Sequence, residues 1–350
     1  MISVPGADGS VPVAGSSRRS GIGHDGIDGV DGAMTGDQMT GHQMSGQQMT
    51  KPVVRVESPT EARNPRTTNI DRVSTLEVLE LINAEDRLVA DAVHPALPRL
   101  ATAVDLAVDA LRQGRRVHYV GAGTSGRLGV LDAAELPPTF AVPSEWFVTH
   151  AAGGPAALLR AIEGAEDDED AGARELAESV KSGDVVVGLA ASGRTPYVVG
   201  ALRAAHDIGA ATVLITANPD APFGAEVDVL VAVDTGPEVV AGSTRMKAGT
   251  AQKLMLNAFS TAVMVRLGRT YSNLMVDLVA SNAKLRGRML DILAEATGLP
   301  QATCAEALTE AGGELKTALV AVLGEVTPER ARAALARSDG HVHAALAFLR

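Results

Sequence analysis

Val117-His118-Tyr119-Val120-Gly121-Ala122-Gly123-Thr124-Ser125-Gly126-Arg127 carries an apolar β-type run into a glycine-rich loop. The amphipathic spacing of Leu128, Val130, Leu131 and Ala134 follows directly. Strand, loop and helix in this order leave free backbone N–H groups at a helix N-terminus, where an anion can be held. Gly121, Gly123 and Gly126 fit G-x-G-x-x-G, a weak pattern on its own. Thr124 and Ser125 add hydroxyls. No Gly-Lys-Ser/Thr ending is present, so the loop is not a nucleoside-triphosphate P-loop.

Leu128, Leu131 and Glu135 stand at i, i+3 and i+7, which places Glu135 on the face expected to turn inward. Leu136 precedes Pro137-Pro138, and this predicts that the helix ends there. An inward carboxylate close to an anion loop is a candidate general acid or base. A helix-end glutamate in water fits the same spacing, and spacing alone leaves both readings open.

Outward from this stretch the pattern alternates. Strand 116–120 leads to helix 125–135, then to a strand at 145–149 and a helical stretch at 155–162. Helix 171–180 follows an acidic run that includes Glu163, Glu166, Asp167 and Asp168. Strand 184–190 leads to helix 196–208, and strands 211–216 and 228–233 precede a long helix over 247–266. Apolar strands alternating with helices predict an α/β fold, a parallel sheet covered on both faces. Ligands in such folds bind beyond the strand C-termini. Upstream, Ser74 and Glu77 form a candidate capping box. The helix they open runs to Val93, with Leu76, Leu79, Ile82 and Leu88 in helical register. Pro95 and Pro98 interrupt the pattern before a second helix from Leu100 to Leu111, closed by Gly114.

Both ends of the chain differ from this middle. Residues 1–52 are rich in Gly, Ser, Asp and Gln and contain a five-residue repeat beginning at Met34, Met39 and Met44. Such a segment buries too little apolar surface to offset its ordering entropy, so a low-complexity disordered tail is expected. His24 and His42 lie in it. The main domain is expected over 53–285, and a small alanine-rich helical domain over 286–350. Leu308, Gly313, Leu315, Ala318 and Leu319 recur 27 residues later as Leu335, Gly340, Val342, Ala345 and Leu346, which predicts two copies of a small helical unit.

The 350 residues carry a net charge of −11, with no basic stripe. Nucleic acid and anionic membranes are therefore poor partners. One cysteine, Cys304, excludes a disulfide and fits a core position. No apolar run reaches the length of a membrane span, and no signal-peptide layout opens the chain. A cytoplasmic protein is the expectation.

Two further loops at strand–helix junctions resemble the first in composition: Ala191-Ser192-Gly193-Arg194-Thr195 and Ala241-Gly242-Ser243-Thr244-Arg245-Met246-Lys247. Ser192 and Thr195 offer hydroxyls, Gly193 allows close backbone approach, and Arg245 and Lys247 add positive charge. Ordinary helix N-caps would use the same residue types. Three such loops at one sheet edge favour a polar, phosphate-bearing ligand. Dinucleotide binding is weaker, because the acidic residue it wants at the end of the next strand is missing there; Glu145 precedes its apolar run.

With these loops quoted, the chain resembles the SIS-domain family of N-acetylmuramic acid 6-phosphate etherases. The matching stretches are Thr60–Pro65, Gly121–Arg127, Leu131–Thr139, Ala152–Gly154, Glu163–Asp167, Ala190–Tyr197 and Gly242–Lys253, in order over residues 60 to 285. The resemblance implies an SIS-type five-stranded parallel sheet flanked by helices, with N-terminal helices and a small all-α C-terminal unit. It implies a homodimer, no metal and no nucleotide cofactor. N-acetylmuramic acid 6-phosphate would be the substrate, and D-lactate would leave from C3 of the sugar. By motif, Glu135 and Glu166 are the implied catalytic carboxylates. Thr124, Ser125, Ser192, Gly193, Thr195, Ser243 and Lys247 are the implied substrate-binding residues. A non-catalytic sugar-phosphate sensor and an SIS aldose–ketose isomerase share much of this pattern.

Overall fold

The computed structural model describes residues 58–278 and 283–350. The expectations for the 1–52 tail, including its two histidines, lie outside the described residues. Two helices come first, α1 (Thr75–Val93) and α2 (Leu97–Arg112). The alternating part then runs β1 (Val117–Gly121), α3 (Gly123–Phe140), β2 (Phe147–Ala151), the short α4 (Ala156–Leu159), α5 (Glu169–Ala177) and β3 (Val185–Leu189). It continues with α6 (Pro196–Ile208), β4 (Ala211–Thr216), β5 (Val229–Ala232) and α7 (Lys247–Arg266). The five strands form one parallel sheet in the order β2-β1-β3-β4-β5.

Alternation along β1 sends side chains to two cores. Val117 and Tyr119 pack with α1, α2, α3 and α7, whereas Val120 packs with α5 and α6 on the other face. β1, β3 and β4 are mostly apolar and buried because both faces are covered, whereas β2 at the sheet edge is half-buried beyond Phe147. All five strand C-termini therefore open on one edge of the sheet, and the loops singled out above lie there.

Three expectations about helices need correction. α3 does not stop before Pro137-Pro138; it runs through both to Phe140. The prolines lack N–H donors, so the Ala133 and Ala134 carbonyls lose their helical partners. Leu136 and Phe140 are buried in the core and hold the last turn in place. Ala141 then ends the helix in the left-handed region, at φ 50°, and its N–H donates to the Pro137 carbonyl at 3.0 Å. In α1, the capping box forms as expected, with Ser74 N donating to Glu77 Oε2 at 2.8 Å. The leucine register of α1, however, faces outward. Leu76 and Leu79 are 65% and 58% exposed, and the helix buries Glu85, Val89 and Val93 instead. Pro98 does not delay α2, since it sits in the first turn, where a missing N–H costs nothing.

After a two-stranded hairpin, β6 (Thr270–Tyr271) with β7 (Leu274–Met275), the chain is helical: α8 (Ala283–Thr297), α9 (Gln301–Glu310), α10 (Leu315–Gly324), α11 (Pro328–Arg337) and α12 (Val342–Leu349). These helices close on a hydrophobic core of their own, with Cys304 fully buried in it. The 27-residue repeat is a structural one. Gly313 N donates to Leu308 O at 2.8 Å and Gly340 N to Leu335 O at 2.9 Å, both glycines at positive φ. Each turn starts a helix whose first core residues, Leu315 and Val342, are buried.

Candidate functional site

The first glycine loop is built by close packing. A Cβ on Gly121 would lie 2.6 Å from Gly126 N, and one on Gly126 would lie 2.7 Å from Gly121 O, so the strand end and the helix start touch backbone to backbone. Gly123 has φ +54° with open space around it. No side chain caps α3. The first N–H groups of this 18-residue helix are thus left to a ligand or water, and the ordinary N-cap reading of Thr124 and Ser125 does not hold. Ser125 Oγ instead donates to Gln252 Oε1 on α7, at 2.8 Å. Gln252 Nε2 is buried with no partner among the described residues.

A cleft of about 210 Å³ opens beside this loop. It is lined by Ala122, Gly123 and Arg127 together with Arg160, Glu163 and Glu166. Glu166 belongs to a 3-10 turn, Ala165–Asp167, that leads into α5. α5 is pressed onto α6 where Gly172 meets the Tyr197 carbonyl and Gly200 meets the Glu169 carbonyl; a Cβ would stand 1.9 Å and 2.0 Å from those oxygens. This backbone contact holds the Glu166 turn next to α6. Arg127 fastens the opposite end of the segment. Its Nη2 donates to Ala157 O at 2.7 Å, and its Nε lies 3.1 Å from Ala157 O and 3.2 Å from Leu158 O.

In the second loop, Thr195 is the N-cap residue of α6, yet its side chain makes no capping bond. The α6 N-terminus is therefore open as well. Gly193 is needed for contact within the protein: at φ +68°, a Cβ there would lie 2.4 Å from Ala221 Cβ. Thr216 Oγ1 donates to Ala191 O at 3.0 Å, and Asn218 Nδ2 to Ser192 O at 3.2 Å, so the loop is braced from β4.

The third loop departs from expectation. Lys247, read as positive charge for a substrate, is 1% exposed. Its Nζ donates to Glu85 Oε2 at 2.8 Å and to Pro237 O at 3.1 Å. Arg66 also bonds Glu85, with Nη2 at 2.8 Å from Oε2. These cations hold the Glu85 carboxyl at about 2, Arg66 foremost, against the opposing effect of burial. Lys247 is thus committed to fixing α1 against α7, because a buried ammonium is stable only when paired. The N-terminus of α7 is occupied too: the Glu238 carboxylate accepts from Lys247 N at 2.8 Å and Ala248 N at 2.9 Å. Ser243 remains half-buried in its loop. Asn64 and Thr67 tie the N-terminal segment to the same region through the carbonyls of Pro237 and Val239.

Glu135 is neither inward nor close to the first loop. It is exposed, as is Leu131, at 54%. Twelve residues separate Glu135 from the start of α3, about 18 Å of helix. The inward face is Gly126, Gly129, Asp132, Leu136 and Phe140. The glycines set this phase: a Cβ on Gly129 would lie 3.1 Å from Tyr119 Cβ. Asp132, which spacing did not single out, takes the inward carboxylate position. It accepts from Tyr119 Oη at 2.9 Å and Ser260 Oγ at 3.0 Å, and burial raises its carboxyl to about 6. His118 and His150 are packing residues. Their rings stack, with 3.1 Å between His118 Nδ1 and His150 Nε2, and His118 Nε2 lies 3.2 Å from Asp184 Oδ2. Burial lowers both imidazoles, His150 to about 4.

A five-stranded parallel sheet with open glycine- and hydroxyl-bearing loops after β1 and β3 defines this protein as an SIS-domain protein. The SIS domain family matches residues 165–262, and the glucokinase regulatory protein N-terminal SIS domain matches residues 99–206. The N-acetylmuramic acid 6-phosphate etherase of Thermobifida fusca (strain YX) is 62% identical over 274 residues, 78% of this chain and 90% of that protein. The etherase of Yersinia pestis (strain Pestoides F) is 53% identical over 288 residues, 82% of this chain and 98% of that protein. Among solved structures, a phosphoheptose isomerase from Francisella tularensis aligns at 16% identity with a TM-score of 0.42, over 55% of this chain and 100% of that one. The chain belongs to the N-acetylmuramic acid 6-phosphate etherase family. It is accordingly an enzyme, a carbon–oxygen lyase.

Proposed function

We propose that this enzyme cleaves the D-lactyl ether of N-acetylmuramic acid 6-phosphate, giving N-acetylglucosamine 6-phosphate and D-lactate in amino-sugar catabolism. The observation that carries the reading is the cleft in which the uncapped start of α3 faces the Glu166 turn. An alkyl ether leaves poorly, so the C2 proton must first be made acidic by opening the sugar to its C1 aldehyde. A base then removes that proton, the C3–O bond breaks, and the lactate oxygen takes up a proton. Water adds across the resulting C2–C3 double bond, hydroxyl to C3 and proton to C2. Each proton transfer by a placed side chain is worth roughly 10²–10⁴ in rate.

Glu166 and Glu135 are the carboxylates for these transfers. Thr124, Ser125, Ser192, Gly193, Thr195 and Ser243 bind the sugar phosphate, with the open starts of α3 and α6 as anion seats. Lys247 is left out of this set and given a positioning role. Glu166 serves the cleft of its own chain. Glu135, on the exposed face of α3, serves the cleft of a second copy, so the enzyme acts as a homodimer. The outward leucines Leu76 and Leu79 of α1 support such an association.

D-lactate release from N-acetylmuramic acid 6-phosphate tests the reading, with Glu166→Ala and Glu135→Ala beside the wild type. Lactate from the wild type, and a loss of at least about 100-fold in each variant at unchanged melting temperature, is the expected result. Saturable sugar-phosphate binding without lactate would overturn it. That outcome would favour a binding protein, the reading to which the match with the glucokinase regulatory protein domain points. An isomerised sugar without lactate would favour an aldose–ketose isomerase.

A further inference from the structure

The cleft beside α3 holds two carboxylates, Glu163 and Glu166, and two guanidinium groups, Arg127 and Arg160. A substrate with a lactyl ether brings a carboxylate of its own in addition to its phosphate. In a cleft already carrying two negative side chains, that group is repelled unless a cation stands beside it. Arg127 turns its Nε and Nη2 to the carbonyls of Ala157 and Leu158, so that edge of its guanidinium is committed to holding the segment. Arg160 is different. It ends α4 in extended conformation, its backbone N–H donates to Ala156 O, and its side chain is exposed. It forms no ion pair or side-chain hydrogen bond with the described residues. The clamp from Arg127 holds α4 two residues before it, so Arg160 is presented from a fastened segment rather than a loose one.

We propose that Arg160 is the specificity-determining residue that binds the lactyl carboxylate, and that Arg127 positions it. The assignment rests on the etherase reading above. A guanidinium suits the role because its planar fork meets a carboxylate through two parallel N–H···O bonds. The phosphate is left to the open helix starts, so the two anions of the substrate are read by different parts of the site. This division makes a prediction about ligands, not only about rate. N-acetylglucosamine 6-phosphate has the same phosphate and no lactyl group, so Arg160 contributes nothing to its binding.

Lactate kinetics in wild type, Arg160→Ala and Arg160→Lys test this, together with calorimetric binding of N-acetylmuramic acid 6-phosphate and N-acetylglucosamine 6-phosphate to the same three on a Glu166→Ala background, where the lactyl sugar is not consumed. Arg160→Ala is expected to weaken binding of the lactyl sugar and raise its KM about 10- to 100-fold, the range for a charge-assisted hydrogen bond. Its affinity for N-acetylglucosamine 6-phosphate stays at the wild-type value. Arg160→Lys falls between, because an ammonium keeps the charge and loses the fork. Equal weakening toward both sugars would assign Arg160 to the phosphate and overturn the proposal. Unchanged affinity for the lactyl sugar would overturn it as well. Failure of the etherase reading shows separately, as a wild type that binds the lactyl sugar and releases no lactate.

Discussion

Asp132 illustrates what a single residue does in this molecule. The residue is 9% exposed, and burial raises its carboxyl from 3.8 to about 6, while hydrogen bonds from Tyr119 and Ser260 pull the other way. A group raised on folding favours the folded state in its protonated form. The stability it contributes is therefore complete below about pH 4 and lost as pH rises through about 6. The loss is on the order of 3 kcal/mol. Asp132→Asn removes this dependence. Urea unfolding at pH 4 and pH 7 should show the variant gaining on the wild type by roughly that amount as pH rises; a constant difference between the two proteins would refute the assignment. Glu85 has the opposite sign. Its lowered carboxyl contributes stability above its ordinary range, and that stability is lost only as pH falls toward about 2.

Among the elements, the contact between α5 and α6 matters most to the site. Gly172 and Gly200 let the two backbones meet, and the Glu166 turn enters α5 just before this crossing. A methyl group on Gly200 would press on the Glu169 carbonyl at 2.0 Å, and a backbone oxygen cannot swing aside as a side chain can. Gly200→Ala is expected to cost at least about 2 kcal/mol. It should also lower kcat/KM, because relief of the clash moves α5 and the turn before it. Unfolding midpoints and lactate kinetics read the two effects; a midpoint equal to that of the wild type would show that the crossing yields without cost. α3 shows how an element's phase is chosen. Its leucines suggested one inward face, but the glycines at 126 and 129 approach the sheet so closely that they dictate another.

For the whole molecule, two hydrophobic cores sandwich the sheet and a third fills the C-terminal helices. That third core takes in Val276 and Leu278 ahead of the C-terminal helices. Lys316 Nζ donates to Gly268 O at 2.9 Å and pairs with Asp277, which also faces Arg269, so the helical part is joined to the end of α7 by half-buried charge. The proposed homodimer makes a sharp prediction at this scale. Chains of Glu135→Ala and Glu166→Ala, each inactive alone, should recover about a quarter of wild-type lactate release when unfolded and refolded together in equal amounts. Half of the dimers are then mixed, and one of their two sites is intact. No recovery would place both carboxylates in the same chain's site.

Periodicity and punctuation were enough to determine most helices and strands of the α/β part and their order, though not the β6–β7 hairpin or the end of α3. α6 and α7 begin and end where apolar spacing and loop composition say, the five strands follow in the expected order with β2 two residues later than the expected 145–149, and the 27-residue repeat marks two equivalent turns. These features are legible because they depend on neighbours three, four or two residues away. The glycine loops after β1 and β3 were legible for the same reason. What only the tertiary structure decided depends on partners far along the chain. Lys247 is bound to Glu85, 162 residues away, and Glu238 caps α7 from outside it. Burial of a charge is set by whether such a partner exists, and nothing in local spacing records that. The placement of Glu135 belongs to the same class. Which face of α3 turns inward was decided by how closely its glycines meet Tyr119 and Gly121, and that is a property of the packed sheet rather than of the helix.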